Sequence, residues 1–99
     1  MTHADVTQHL YRFWVEAYHQ DMHCLKESSP SSLVTQAQSE LIHESILERL
    51  YEVRVYAETS GEHLLAQSID DVCTKMYLFN EAPSKELANE SPNREQPCL

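Results

Sequence analysis

The chain has 99 residues, 41% of them hydrophobic and 23% charged, with one Gly and four Pro; sixteen acidic against seven basic residues give a formal net charge of −9. That length fits a single domain, and the near-average composition excludes collagen-like, disulfide-rich and wholly disordered classes. The acidic surplus repels phosphate backbones and anionic lipid, so neither nucleic acid nor a membrane surface is an expected partner.

Helical spacing begins close to the N-terminus. Thr2 followed by Asp5 resembles a capping box, with Asp where Glu or Gln is usual. Val6, Leu10, Phe13 and Ala17 recur at steps of four, three and four, and Tyr11, Trp14, Tyr18, Met22 and Leu25 form an adjoining row. Together they predict a helix over about 4–26 with a broad apolar wedge.

Ser28-Ser29-Pro30-Ser31-Ser32 breaks the pattern. Ser29 as N-cap and Pro30 at the first helical position start a second helix, which nothing stops before Ser60-Gly61. Over 30–59 it would be on the order of 40 Å long. Its apolar positions run Val34, Ala37, Leu41, then Ile42, Ile46, Leu50, Val53, Ala57, with Leu47, Tyr51 and Val55 on another side. Apolar residues on more than one face imply cover from more than one neighbour.

Thr59 and Glu62 have capping-box spacing, and Gly61 can supply the left-handed residue that ends the second helix. A third helix over 62–80 carries Leu65, Ile69, Val72, Met76 and Phe79 as a heptad seam. From Ala82 onward the chain has three Pro and almost no large apolar residue, which predicts a disordered tail over 82–99. The expected fold is an all-α, antiparallel three-helix bundle over 1–81, with the first and third helices flanking a long central one. Its leftover apolar rows predict a homodimer.

Cys24, Cys73 and Cys98 are odd in number and form no C-x-x-C, so they read as reduced thiols. With no signal-peptide pattern at the N-terminus, a soluble cytoplasmic protein is expected.

Candidate chemistry rests on histidines and glutamates. His19 and His23 stand one helical turn apart, a spacing that can share a metal, although Cys24 points about 100° away from His23. Glu40-Leu41-Ile42-His43 has the E-x-x-H spacing by which ferritin-like di-iron bundles present two ligands. Glu16 lies about as far before the break as Glu40 lies after it, so a hairpin could level them, although Glu16 sits opposite the Val6 row and should face solvent. His43 also falls on the apolar seam, where a core histidine with a satisfied hydrogen bond is the simpler expectation.

His23-Cys24-Leu25-Lys26-Glu27-Ser28-Ser29 resembles the H-x-L-K-G-S-S segment of histidine phosphotransfer domains, with Glu27 in the place of the Gly. The resemblance implies a phosphoryl group on His23, neutralised by Lys26. The chain has no G-x-S-x-G elbow and no Gly-rich phosphate loop.

Glu40, Glu44, Glu48 and Glu52 occupy successive i, i+4 positions, a ridge that costs about 0.2–0.5 kcal/mol per like-charged pair; it reads first as a solvated face on a helix held by packing and second as a docking surface for a basic partner. The sequence therefore predicts a non-enzymatic protein–protein interaction module without a cofactor. Its partner-binding candidates are Glu40, Glu44, Glu48, Glu52, Trp14 and Tyr18. The alternative is a histidine-based site, either phosphotransfer at His23 with Lys26 or metal binding by His19, His23, Glu40 and His43.

Overall fold

The computed structural model describes residues 2–28 and 32–87, which form α1 (His3–Ser28), α2 (Ser32–Thr59) and α3 (His63–Phe79). No strand occurs among the described residues. The fold is the all-α three-helix bundle that the spacing predicts. The expected start of the second helix at Ser29-Pro30 lies outside the described residues.

Both halves of the first capping box form. The Asp5 amide donates to Thr2 Oγ1 at 3.1 Å and the Thr2 amide to Asp5 Oδ2 at 3.3 Å. Asp5 also places a negative charge in the first turn, where the helix dipole favours it. The second box does not form. Thr59 belongs to α2 and its hydroxyl turns back onto the carbonyls of Val55 and Tyr56, at 2.9 and 3.1 Å, so Glu62 caps α3 with no side-chain bond. Gly61 ends α2 in the left-handed conformation at φ 86°, with the Glu62 amide donating to Ala57 O at 2.8 Å. α3 leaves through Asn80 at φ 55°, a residue whose short polar side chain tolerates that region, and the amides of Asn80 and Glu81 both reach Lys75 O.

α2 packs against both neighbours, while α1 and α3 meet far less. His3 Nδ1 lies 3.0 Å from Tyr56 Oη, the Arg49 guanidinium 5.4 Å from the Trp14 ring centre, and the Tyr18 and His43 rings 5.9 Å apart. On the other side His43 meets Met76 and Arg54 meets Asp70. Residue numbers fall along α2 as they rise along either neighbour, so α1 and α3 each run opposite to α2.

The core is built on Ile46, Leu50 and Val53 of α2 and on Leu65, Ile69, Cys73 and Met76 of α3. α1 contributes Tyr11 and Tyr18 of the second predicted row together with Val15, which neither row contains. Phe13 of the first row is 55% exposed, since the turn of the helix that meets α2 is centred on Tyr11 and Val15. Phe79 also departs from its expected seam at 66% exposed. The buried face of α3 is centred on Ile69 and Cys73, and Phe79 falls at its edge.

The segment after α3 corrects the expected tail boundary. Pro83 and Leu87 are buried, and Leu87 joins the core. The Tyr11 hydroxyl donates to Ser84 O at 2.6 Å and His19 Nε2 lies 3.2 Å from Pro83 O. Residues 81–86 also run along Ser68, Val72 and Lys75 of α3, so the segment is a strap between α1 and α3. One leucine supplies the apolar anchor that the composition of 82–99 as a whole concealed. The remainder of the expected tail, 88–99, lies outside the described residues.

Candidate functional site

Three of the four ridge glutamates come together in the structure. Glu40, Glu44 and Glu48 line one side of a groove of about 610 Å³ between α2 and α3, with Leu47 and Met76 beneath and Tyr51 and Tyr77 beside them. The regular i, i+4 spacing puts these carboxylates on the outer face of α2, because Ile46, Leu50 and Val53 turn the opposite face into the core. Tyr77 is 72% exposed although it belongs to a helix with a strongly apolar inner face. Burial, then the nearby Cys73 and Asp70, push the Tyr51 phenol upward against the pull of Arg54, so its hydroxyl stays neutral.

Glu52 stands apart from the groove. Arg49 reaches both of its carboxylate oxygens at 3.5 Å and lays its guanidinium on Trp14. The ridge is therefore an open triad plus one neutralised member, and Trp14 is half-buried, edge-on to Phe13 at 4.9 Å. Tyr18 is buried, which removes it from any surface that a partner could touch.

The histidine candidates separate. His19 is held by the strap at Pro83 O, whereas His23 is exposed and lies 3.5 Å from Glu27, with Lys26 also exposed. Glu27 thus places a carboxylate beside the imidazole, where the phosphotransfer segment has Gly. His43 is buried and its Nε2 lies 2.9 Å from Met76 O, which can only accept, so the Nε2–H donates to a carbonyl of the last turn of α3. Glu40 is exposed at the groove and His43 lines the same groove from beneath, with its Nε2 turned to Met76 O. Glu16 is exposed, as expected, but is not level with Glu40. With Trp14 beside Arg49 and Tyr18 beside His43, Glu16 sits beside the 45–47 stretch, about 9 Å along α2 from Glu40. Among the described residues no three His, Cys, Asp or Glu side chains converge into a metal-holding group.

Cys24 is exposed and Cys73 buried, and neither is in a disulfide. Burial pushes the Cys73 thiol up to about 12, with Asp70 adding to the shift and Arg54 opposing it, so Cys73 is an inert core residue. Among the described residues no helix is long and apolar enough to cross a membrane.

No family model, curated protein or solved structure matches the chain.

Two features of the site escape a reading of the sequence by spacing alone. Tyr77 becomes a groove wall only once His43 is docked against the end of α3. Arg49, three residues before Glu52, was the available signal that the fourth glutamate is neutralised within its own helix.

Proposed function

We propose that the protein is a non-enzymatic protein–protein interaction module that acts as a homodimer, with the first turns of α2 as the contact between copies. The observation that carries this is the exposed row Leu33, Ala37 and Leu41, in which Leu33 is 78% and Leu41 65% exposed. Asn80, just past the end of α3, borders the groove beside Glu40, so the stretch 33–39 of α2 runs beyond the reach of α3. An apolar row at i, i+4, i+8 on one helix is self-complementary across a two-fold axis, and a second copy is its simplest cover.

Charge selects the same stretch. Two copies of a chain with net charge −9 repel each other unless they meet on a neutral surface. Leu33-Val34-Thr35-Gln36-Ala37-Gln38-Ser39 contains no charged residue, in a chain where nearly a quarter are charged.

Sedimentation equilibrium at micromolar concentration tests the proposal. The wild-type chain should sediment at twice its 11.5 kDa mass, and the Leu33→Glu, Leu41→Glu double variant at the mass of one chain with unchanged helix content. A wild-type protein of single-chain mass would contradict the homodimer.

A further inference from the structure

We infer that the groove between α2 and α3 binds a basic amphipathic helix, with Lys or Arg at i, i+4 and i+8 against Glu40, Glu44 and Glu48 and an adjoining apolar row against Leu47, Met76 and Tyr77. The inference rests on the interaction-module reading and names the partner chemistry of a second face.

The three carboxylates follow one another at single-turn spacing, about 6 Å, along a track of about 12 Å. A partner helix repeats its side chains at the same interval, so one basic row can meet all three carboxylates at once. Like charges at this spacing are a standing cost to α2, and a row of cations removes it. The groove is open along its length, which suits a helix laid into it better than a small molecule, whose binding requires enclosure on most sides. Leu47 and Met76 give it an apolar floor, and Tyr77, with most of its ring in solvent, gives it a wall that a partner can cover. A fourth helix seated there would also lie beside α2 and α3 as their existing neighbours do.

Charge excludes the other occupants. The chain has seven Lys and Arg residues, at 12, 26, 49, 54, 75, 85 and 94, and no two of them are three or four apart. No segment of this chain, in cis or from a second copy, presents a basic row. Arg49 and Arg54 are already committed to Glu52, Glu58 and Asp70. A phosphate-bearing ligand would meet three carboxylates, and a metal ion would find them a helical turn apart.

The test uses the full chain and a fluorescein-labelled, helix-forming synthetic peptide with three lysines at i, i+4 and i+8 beside a leucine row. A second peptide has the same composition in scrambled order. Fluorescence anisotropy at low salt should show binding of the ordered peptide and about tenfold weaker binding of the scrambled one. Glu44→Gln with Glu48→Gln, and separately Tyr77→Ala, should each weaken the ordered peptide about tenfold. All three residues are exposed, so these variants keep the fold. Glu16→Gln with Asp71→Asn removes the same two charges elsewhere and should change affinity less than about twofold.

No binding of the ordered peptide, equal binding of both peptides, or equal weakening by the two charge-removing pairs would each overturn the inference. Sedimentation of the same samples separates it from the homodimer. A dimer that ignores the ordered peptide overturns the groove alone, whereas a monomer that binds it overturns the homodimer and leaves the groove standing.

Discussion

Leu87 is the residue on which the strap depends, and replacing it by Ala tests whether the chain beyond α3 is part of the folded domain. Its side chain is 2% exposed and lies in the same core as Tyr11, Ile69 and Met76. Removing a buried leucine side chain costs about 2–4 kcal/mol when the surroundings cannot close over the gap. The strap is joined to the bundle at one end only among the described residues, so it can swing away instead of leaving a cavity, and the loss is set by its net docking free energy. The ordering entropy regained on release offsets part of the lost burial and of the Tyr11 hydrogen bond to Ser84. The loss therefore belongs at the lower end, about 2 kcal/mol. For a domain of this size that is a fall in Tm of about 8–16 °C. Urea and thermal unfolding followed by far-UV circular dichroism measure it, with Glu86→Ala as the exposed neighbour that should stay within about 0.5 kcal/mol of wild type. Leu87→Ala within the same 0.5 kcal/mol would refute the docked strap and restore a tail that begins at Ala82.

His43 gives the second prediction. His43→Phe keeps volume beside Tyr18 but leaves Met76 O without its donor, and should cost about 1–3 kcal/mol in urea unfolding; an unchanged midpoint would mean the bond is idle. Cys73 gives the third: in the native state iodoacetamide should alkylate Cys24 and spare Cys73, as peptide mapping reads out. Its pH dependence has a definite sign. The unfolded thiol ionises near its ordinary 9.0 and the folded one only at about 12, so the unfolded state binds fewer protons between those values and stability falls as pH rises from about 9. The slope from this group approaches about 1.4 kcal/mol per pH unit, is absent in Cys73→Ala and so should remain as the difference between the two proteins; equal slopes would contradict it.

The parts of the fold legible in the sequence are those set by neighbours in the chain. Thr2 and Asp5 cap α1 because the two groups that bond are three residues apart, and Gly61 ends α2 because a left-handed residue is needed there and glycine adopts it freely. The α2 seam from Ile46 to Ala57 was readable for the same reason, since periodicity along one helix decides which face is apolar. What depends on a second element was not. Two adjoining rows on α1 compete for α2, and only docking selects Tyr11 and Tyr18 over Phe13. Leu87 is a single apolar residue in a polar stretch, and its burial follows from the gap between α1 and α3, which no local pattern records. At the candidate site the ridge was visible as spacing, but its division into a groove-lining triad and a neutralised Glu52 needed the positions of Tyr77, Arg49 and Trp14. Tyr18 was assigned to the surface because an aromatic wedge on an isolated helix does not say which of its members face inward.

If copies of the chain meet through the outer face of α2 near Ala37, as proposed, a disulfide placed on the two-fold axis will join them. In a background with Cys24→Ser and Cys98→Ser, Ala37→Cys puts one exposed thiol at the centre of the Leu33, Ala37, Leu41 row, leaving Cys73 buried. Two such thiols bridge only if their Cα atoms come within about 7 Å. Under mild oxidation most of the Ala37→Cys protein should migrate as a covalent dimer on non-reducing gels, and Gln67→Cys, exposed on α3, should stay monomeric. Equal crosslinking at the two positions, or none at Ala37→Cys, would contradict it.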